Sequence, residues 1–139
     1  MRNPSRFFYS IIIAVFVVLD QLSKFIALKY FADSTIINPG GAFGFNFKFI
    51  NAGLGPIIIT LIAIGLGYSF WERPKLRFAI VFFVAGALGN LIDRIFRPGV
   101  IDFIDLKYWP SFNLADILIA AGLVWFAYLL TFGKTKQEN

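Results

Sequence analysis

Apolar residues fall in four long blocks separated by polar stretches, and each block is too continuous to be one face of a soluble helix. Residues 7–19 read FFYSIIIAVFVVL, and the apolar character resumes after Asp20 through Phe25, Ile26 and Leu28 to Phe31. Arg2 and Arg6 give this block the flank of a secretory leader, but no small-x-small cleavage pattern follows it. The pattern therefore predicts a retained helix over 6–30, long enough to cross roughly 30 Å of hydrocarbon at about 1.5 Å per residue. Further helices are predicted over 56–71, opened by Pro56, then over 78–96 and 114–132. In the connection 32–53, Phe45, Phe47 and Phe49 alternate with Asn46 and Lys48 after the turn signal Pro39-Gly40-Gly41. That period of two predicts a short half-buried strand, in preference to a loop dipped into lipid. The connection 97–112 is itself apolar through Val100, Ile101, Phe103, Ile104 and Leu106, which predicts a segment lying in the membrane interface.

Composition agrees with the pattern. Of 139 residues, 58% are hydrophobic and 15% charged, where a soluble domain carries about 25% charged residues. The expected fold class is an all-α membrane protein with four transmembrane helices, a small outer-face β element and an interfacial segment between the third and fourth helices. One domain, 1–139, accounts for the length. Four spans put both termini on one side, together with Arg2, Arg6, Arg73, Lys75, Arg77, Lys134 and Lys136, seven of the thirteen basic residues. The positive-inside rule makes that side the cytoplasm. Because the basic residues sort by membrane side and form no single patch, the net charge of +5 does not point to nucleic acid. The chain has neither cysteine nor histidine. That excludes a cysteine nucleophile, disulfides and Ser-His-Asp chemistry, and no metal or other cofactor is expected.

The polar residues inside the apolar blocks converge on one depth. Asp20 lies 14 residues beyond Arg6, about 21 Å along the first helix, and Lys24 is one turn further on the same face. Asn90, Asp93 and Arg94 share a face near the outer end of the third helix; Asn113 and Asp116 share one in the first turn of the fourth. Asp102 lies in the connection between them. Polar groups so placed are costly and usually functional. Asp20 with Lys24 reads most simply as an ion pair tying the first helix to its neighbours. Asp93 and Arg94 with Asn90 suit a buried packing network as well as a substrate contact. The small residues Ala85, Gly86, Ala87 and Gly89 suit close helix packing. Asp105, followed by Lys107, reads as solvated. Asp102 and Asp116 lack a basic residue within a helical turn in sequence. If they face each other they share one proton, which gives a base for water and an acid for a leaving amine. Spacing alone also allows a cation site or a proton relay.

At these residues the chain resembles lipoprotein signal peptidase (signal peptidase II), an integral-membrane aspartyl endopeptidase family of bacteria. Four blocks carry the resemblance: Asp20-Gln21-Leu22-Ser23-Lys24; Asn38-Pro39-Gly40-Gly41-Ala42-Phe43; Gly86 to Arg94 (GALGNLIDR) continuing to Val100-Ile101-Asp102-Phe103; and Phe112-Asn113-Leu114-Ala115-Asp116. Gly41 and Gly44 stand where the family often carries alanine and serine. The resemblance implies that Asp102 and Asp116 are the catalytic pair, that Asn38, Asn90, Arg94 and Asn113 bind substrate, and that Asp20, Lys24 and Asp93 support them. It further implies a diacylglyceryl-modified prolipoprotein as substrate, cut on the amino side of the modified cysteine. A monomer in contact with membrane lipid is expected, in the bacterial cytoplasmic (inner) membrane, with its active site near the outer leaflet. The alternative is a small proton- or cation-coupled transporter using the intramembrane aspartates. Transport needs carboxylates through the full depth, whereas the inner halves of the predicted spans lack charged residues.

Overall fold

The computed structural model describes residues 5–39 and 54–133. Four helices occupy the four apolar blocks: α1 (Arg6–Tyr30), α2 (Leu54–Phe70), α3 (Arg77–Phe96) and α4 (Leu114–Phe132). Ser5 caps α1 by accepting from the Phe8 amide, and a 3-10 turn at Pro74–Leu76 leads into α3. Asn113 and Asp116 form a reciprocal capping box at the start of α4, so the Asn-x-x-Asp spacing both starts the helix and fixes a carboxylate in its first turn.

Helix α3 is the axis of the bundle and packs against each of the other three. Its small residues make this possible. A methyl group added at Gly86 would lie 2.3 Å from the Ala115 carbonyl oxygen of α4, and one at Gly89 would lie 2.6 Å from a carboxylate oxygen of Asp20 on α1. Backbones brought this close gain dispersion contacts and leave room for polar side chains between helices. Two apolar clusters fill the remainder, Ala63, Phe83, Ala87 and Ile119 in one and Leu76, Ala79, Ile80 and Phe126 in the other. At the end of the bundle away from Asp102, Tyr9 meets Trp71 and Phe78 edge-on, Arg77 lies over Tyr9 and Trp71, and Arg6 pairs with Glu72 at 3.3 Å.

The outer surface of the bundle is apolar: Phe7, Val15, Val18, Leu22 and Phe25 of α1 and Val124 and Phe132 of α4 are all exposed. Three helices are long and apolar enough to cross a membrane; α2, with 17 residues, is shorter. This is a multi-pass membrane protein.

Among the described residues, a two-stranded antiparallel sheet joins the connections, β1 (Ile36–Asn38) with β2 (Val100–Asp102), in the register Ile36–Asp102, Ile37–Ile101 and Asn38–Val100. A small β element was expected, but from other residues: the strand anticipated at Phe45, Phe47 and Phe49 lies outside the described residues. Both observed strands are three residues long, too short for any alternation to register. The connection after α3 divides in two. Val100–Asp102 is buried, while residues 105–110 are exposed, Asp105 among them. An isolated bridge between Ile104 and Phe112 turns the chain back, with Lys107 at φ 66° in the turn, and so delivers Asn113 beside Asp102.

Candidate active site

The site is built in two tiers at the end of the bundle that carries the sheet. The inner tier centres on Lys24, which is wholly buried. Its ammonium group donates to Asp20 Oδ2 at 2.8 Å, to Asp93 Oδ2 at 2.8 Å and to Asn90 Oδ1 at 3.1 Å, so its three protons all have acceptors. Both carboxylates are fully buried as well. Asp20 Oδ1 accepts the backbone N–H of Ala115 at 2.9 Å, and Asp93 Oδ2 accepts that of Ile101 at 3.1 Å. Gln21 bridges the helices by donating to the Gly89 carbonyl at 3.0 Å and to Asp93 Oδ1 at 3.2 Å. Arg97 closes the tier, donating to Gln21 Oε1 at 3.0 Å and pairing with Asp93. Two cations thus face two carboxylates, the arrangement that makes buried charge tolerable.

The outer tier holds Asp102 and Asp116. Asp102 accepts from Asn38 Nδ2 at 3.0 Å and from Asn113 Nδ2 at 2.7 Å. Asp116 accepts from Asn90 Nδ2 at 2.7 Å and from the Asn113 backbone N–H at 3.3 Å. The two amides that join the tiers have only one sensible orientation. Lys24 is purely a donor, so Asn90 must turn its oxygen inward, which aims its NH2 at Asp116. Asn113 gives its oxygen to the Asp116 N–H, and its NH2 goes to Asp102 and to Asn90 Oδ1. Burial pushes the Asp102 carboxyl up to about 6; the Asn38 hydrogen bond opposes the shift, and the neighbouring charge of Asp116 adds to it.

Asp102 and Asp116 open into one cleft. Asn38, Asn90 and Arg94 form its remaining polar wall; Pro56, Ile59, Ala87, Val100 and Ile119 form the apolar one. Arg94 donates to the Pro39 carbonyl at 2.9 Å, linking α3 to the end of the β1 segment. Of the residues singled out in the sequence, Asp20, Lys24 and Asp93 therefore form the inner tier, while Asn38, Asn90, Arg94, Asp102 and Asp116 meet at the cleft. Asn113, expected against substrate, is instead fully buried behind the pair. Sequence reasoning gave no role to Gln21 or Arg97. The i, i+4 spacing of Asp93 and Arg97 was the available signal for the second. Among the described residues no group of three or more His, Cys, Asp or Glu side chains comes together to hold a metal ion.

The fold and site define a class, a polytopic membrane protein with two aspartates, Asp102 buried and Asp116 half-buried, converging on one cleft from a strand and a helix. The family model for signal peptidase (SPase) II matches residues 12–132. A lipoprotein signal peptidase of Thermodesulfovibrio yellowstonii is 39% identical, covering 86% of this chain and 93% of that protein. One of Clostridium novyi is 38% identical over 89% of this chain and 99% of its own. A solved bacterial membrane enzyme, determined by the in meso method at 2.3 Å resolution, superimposes with a TM-score of 0.76 at 27% identity, over 99% of this chain and 98% of that one. The chain belongs to the signal peptidase II family, and it is a membrane peptidase.

Proposed function

We propose that this protein is an aspartic-type endopeptidase that removes the signal peptide of bacterial prolipoproteins, cutting on the amino side of a diacylglyceryl-modified cysteine. The observation that carries the reading is the convergence of Asp102 from β2 and Asp116 from α4 on one cleft, each carboxylate aimed by amide donors. Two carboxylates facing one cleft, each unfavourable to the other's charge, share one proton. The ionised carboxylate takes a proton from a water held between them, and the water oxygen attacks the scissile carbonyl carbon. The protonated carboxyl then gives its proton to the amide nitrogen as the C–N bond breaks. One acid and one base are regenerated by this exchange. Asn38 and Arg94, at the cleft wall, meet the substrate backbone; Asn90 and Asn113 hold the carboxylates in line.

The surrounding frame belongs to the same proposal. Helix α2, although short, acts as a fourth span, with Trp71 at its inner rim. Both termini are cytoplasmic, on the argument of the seven basic residues, and the enzyme works as a monomer in the bacterial inner membrane. The cleft then lies at the outer leaflet, where acyl chains enter from lipid and water stays within reach. The segment 97–112 rests in the interface over it. The relatives give no support to a transporter. The test is a gel-shift assay with purified protein in detergent and a diacylated prolipoprotein: cleavage by the wild type and none by Asp102→Asn or Asp116→Asn is expected, and cleavage by either variant refutes the pair.

A further inference from the structure

The inner tier does more than neutralise charge. Asp93 accepts the N–H of Ile101, the residue immediately before Asp102, and Asp20 accepts the N–H of Ala115, the residue immediately before Asp116. Lys24 joins those two carboxylates at 2.8 Å each. The chain of contacts therefore runs from one aspartate of the cleft to the other through three fully buried side chains: Asp102 and Ile101, Asp93, Lys24, Asp20, Ala115 and Asp116. Each link lies next to its aspartate along the backbone, with no side-chain rotor between. A third contact of Lys24, to Asn90 Oδ1, turns the Asn90 amide toward Asp116.

We infer that Asp20, Lys24 and Asp93 form a clamp whose role is to set the separation and aim of Asp102 and Asp116, and that all three are positioning residues for the cleavage step. This inference rests on the assignment of Asp102 and Asp116 as the catalytic pair. Alternative partners for the two amides are scarce. Ala115 sits in the first turn of α4, where backbone N–H groups have no intrahelical acceptor. Ile101 pairs with Ile37 across the sheet, yet its N–H points to Asp93. The two carboxylates thus hold donors that nothing else on their own elements would hold. Lys24 supplies the cross-tie that a pair of independent hydrogen bonds would lack.

A clamp acts on turnover and leaves substrate capture alone, because Lys24, Asp20 and Asp93 do not line the cleft. In Lys24→Met the tie between the two carboxylates is cut, and Asn90 Oδ1 loses its Lys24 donor and keeps only that of Asn113. With misplacement of about 1 Å at the reacting groups, kcat per folded molecule should fall about 100-fold. KM for a diacylated prolipoprotein should stay within about twofold. Asp20→Asn is the milder variant. Its amide oxygen can still accept the Ala115 N–H while its tie to Lys24 is lost, so its kcat should lie between wild type and Lys24→Met, again at unchanged KM. Folded fraction is read by thermal shift in detergent, so that lost protein is separated from lost turnover.

A second measurement uses the wild type alone: amide hydrogen exchange at Ile101 and Ala115 should be as slow as in the centre of α3. Wild-type kcat per folded molecule in Lys24→Met would overturn the clamp and leave the triad as packing. If that variant does not fold, wild-type kcat in Asp20→Asn would do the same, and so would fast exchange at either amide. Failure of the pair itself reads differently, since it is decided by Asp102→Asn and Asp116→Asn irrespective of what the clamp variants do.

Discussion

Gly86→Ala tests whether the close approach of α3 and α4 sets the site geometry. The added methyl would lie 2.3 Å from the Ala115 carbonyl oxygen, 2.9 Å from Ile119 Cγ1 and 3.0 Å from the Ile119 amide nitrogen. Two of those three atoms are backbone, so no rotamer change relieves them. Restoring an ordinary contact near 3.4 Å requires the helices to part by about 1 Å. The hydrogen bond that crosses this seam, Asn90 to Asp116 at 2.7 Å, would stretch beyond useful length, and the shift of α4 would also strain the bond from the Ala115 N–H to Asp20 of α1 at 2.9 Å. Overpacking of this kind costs about 1–3 kcal/mol. Displacement of a reacting group by about 1 Å costs on the order of 100-fold in rate. The assay pairs thermal shift in detergent with kcat per folded molecule on a diacylated prolipoprotein. Gly65→Ala is the control, because a methyl group there meets nothing within 4 Å, and it should match wild type or gain slightly in stability. Wild-type turnover and melting in Gly86→Ala would refute the claim that this seam sets the geometry.

Three further outcomes follow from other parts of the molecule. Asp102, held up to about 6 when folded against an ordinary value near 3.9, binds its proton more tightly in the native state. Wild-type stability should therefore fall as pH rises from about 4 to about 6, relative to Asp102→Asn, with the full difference present above that window; a difference independent of pH would contradict the buried placement. Arg97→Met removes one of the two cations from Asp93 while Lys24 remains, and because the Arg97 side chain is 27% exposed the loss should be modest, about 1 kcal/mol by chemical or thermal denaturation; a loss of several kcal/mol would make Arg97 an equal partner of Lys24. Single cysteines introduced at 105 and 75 should react with an impermeant thiol reagent on opposite faces of the membrane, the first in intact cells and the second only after lysis, and the reverse pattern would invert the proposed topology.

How far the sequence foretold this arrangement depends on the range of each contact. The helices were legible almost to the residue, because runs such as 6–30 bury or expose apolar surface over many turns and end at identifiable caps. The capping box at Asn113 and Asp116 was legible as an i, i+3 spacing, and the ion pair of Asp20 with Lys24 as an i, i+4 one. The sheet was not, because three-residue strands carry no period and their pairing joins residues more than sixty positions apart. The burial of Asn113 was not legible for a related reason. Spacing puts it on the face of Asp116, but only the return of the chain at Ile104 and Phe112 shows that this face is turned inward. The grip of Asp93 on the Ile101 amide and of Asp20 on the Ala115 amide left no trace at all, since a backbone donor has no identity in sequence.

The most direct test of the central claim is to read the product of the purified enzyme, its Asp102→Asn and Asp116→Asn variants and the double variant, acting on one diacylated prolipoprotein, by mass spectrometry. The wild type should release a signal peptide and leave the diacylglyceryl cysteine as the new amino terminus. Each single variant should fold, bind the precursor and yield no product, and the double variant should be no worse than either, because the pair acts as a unit. Product from either single variant, or a cut at any other bond, would contradict the assignment.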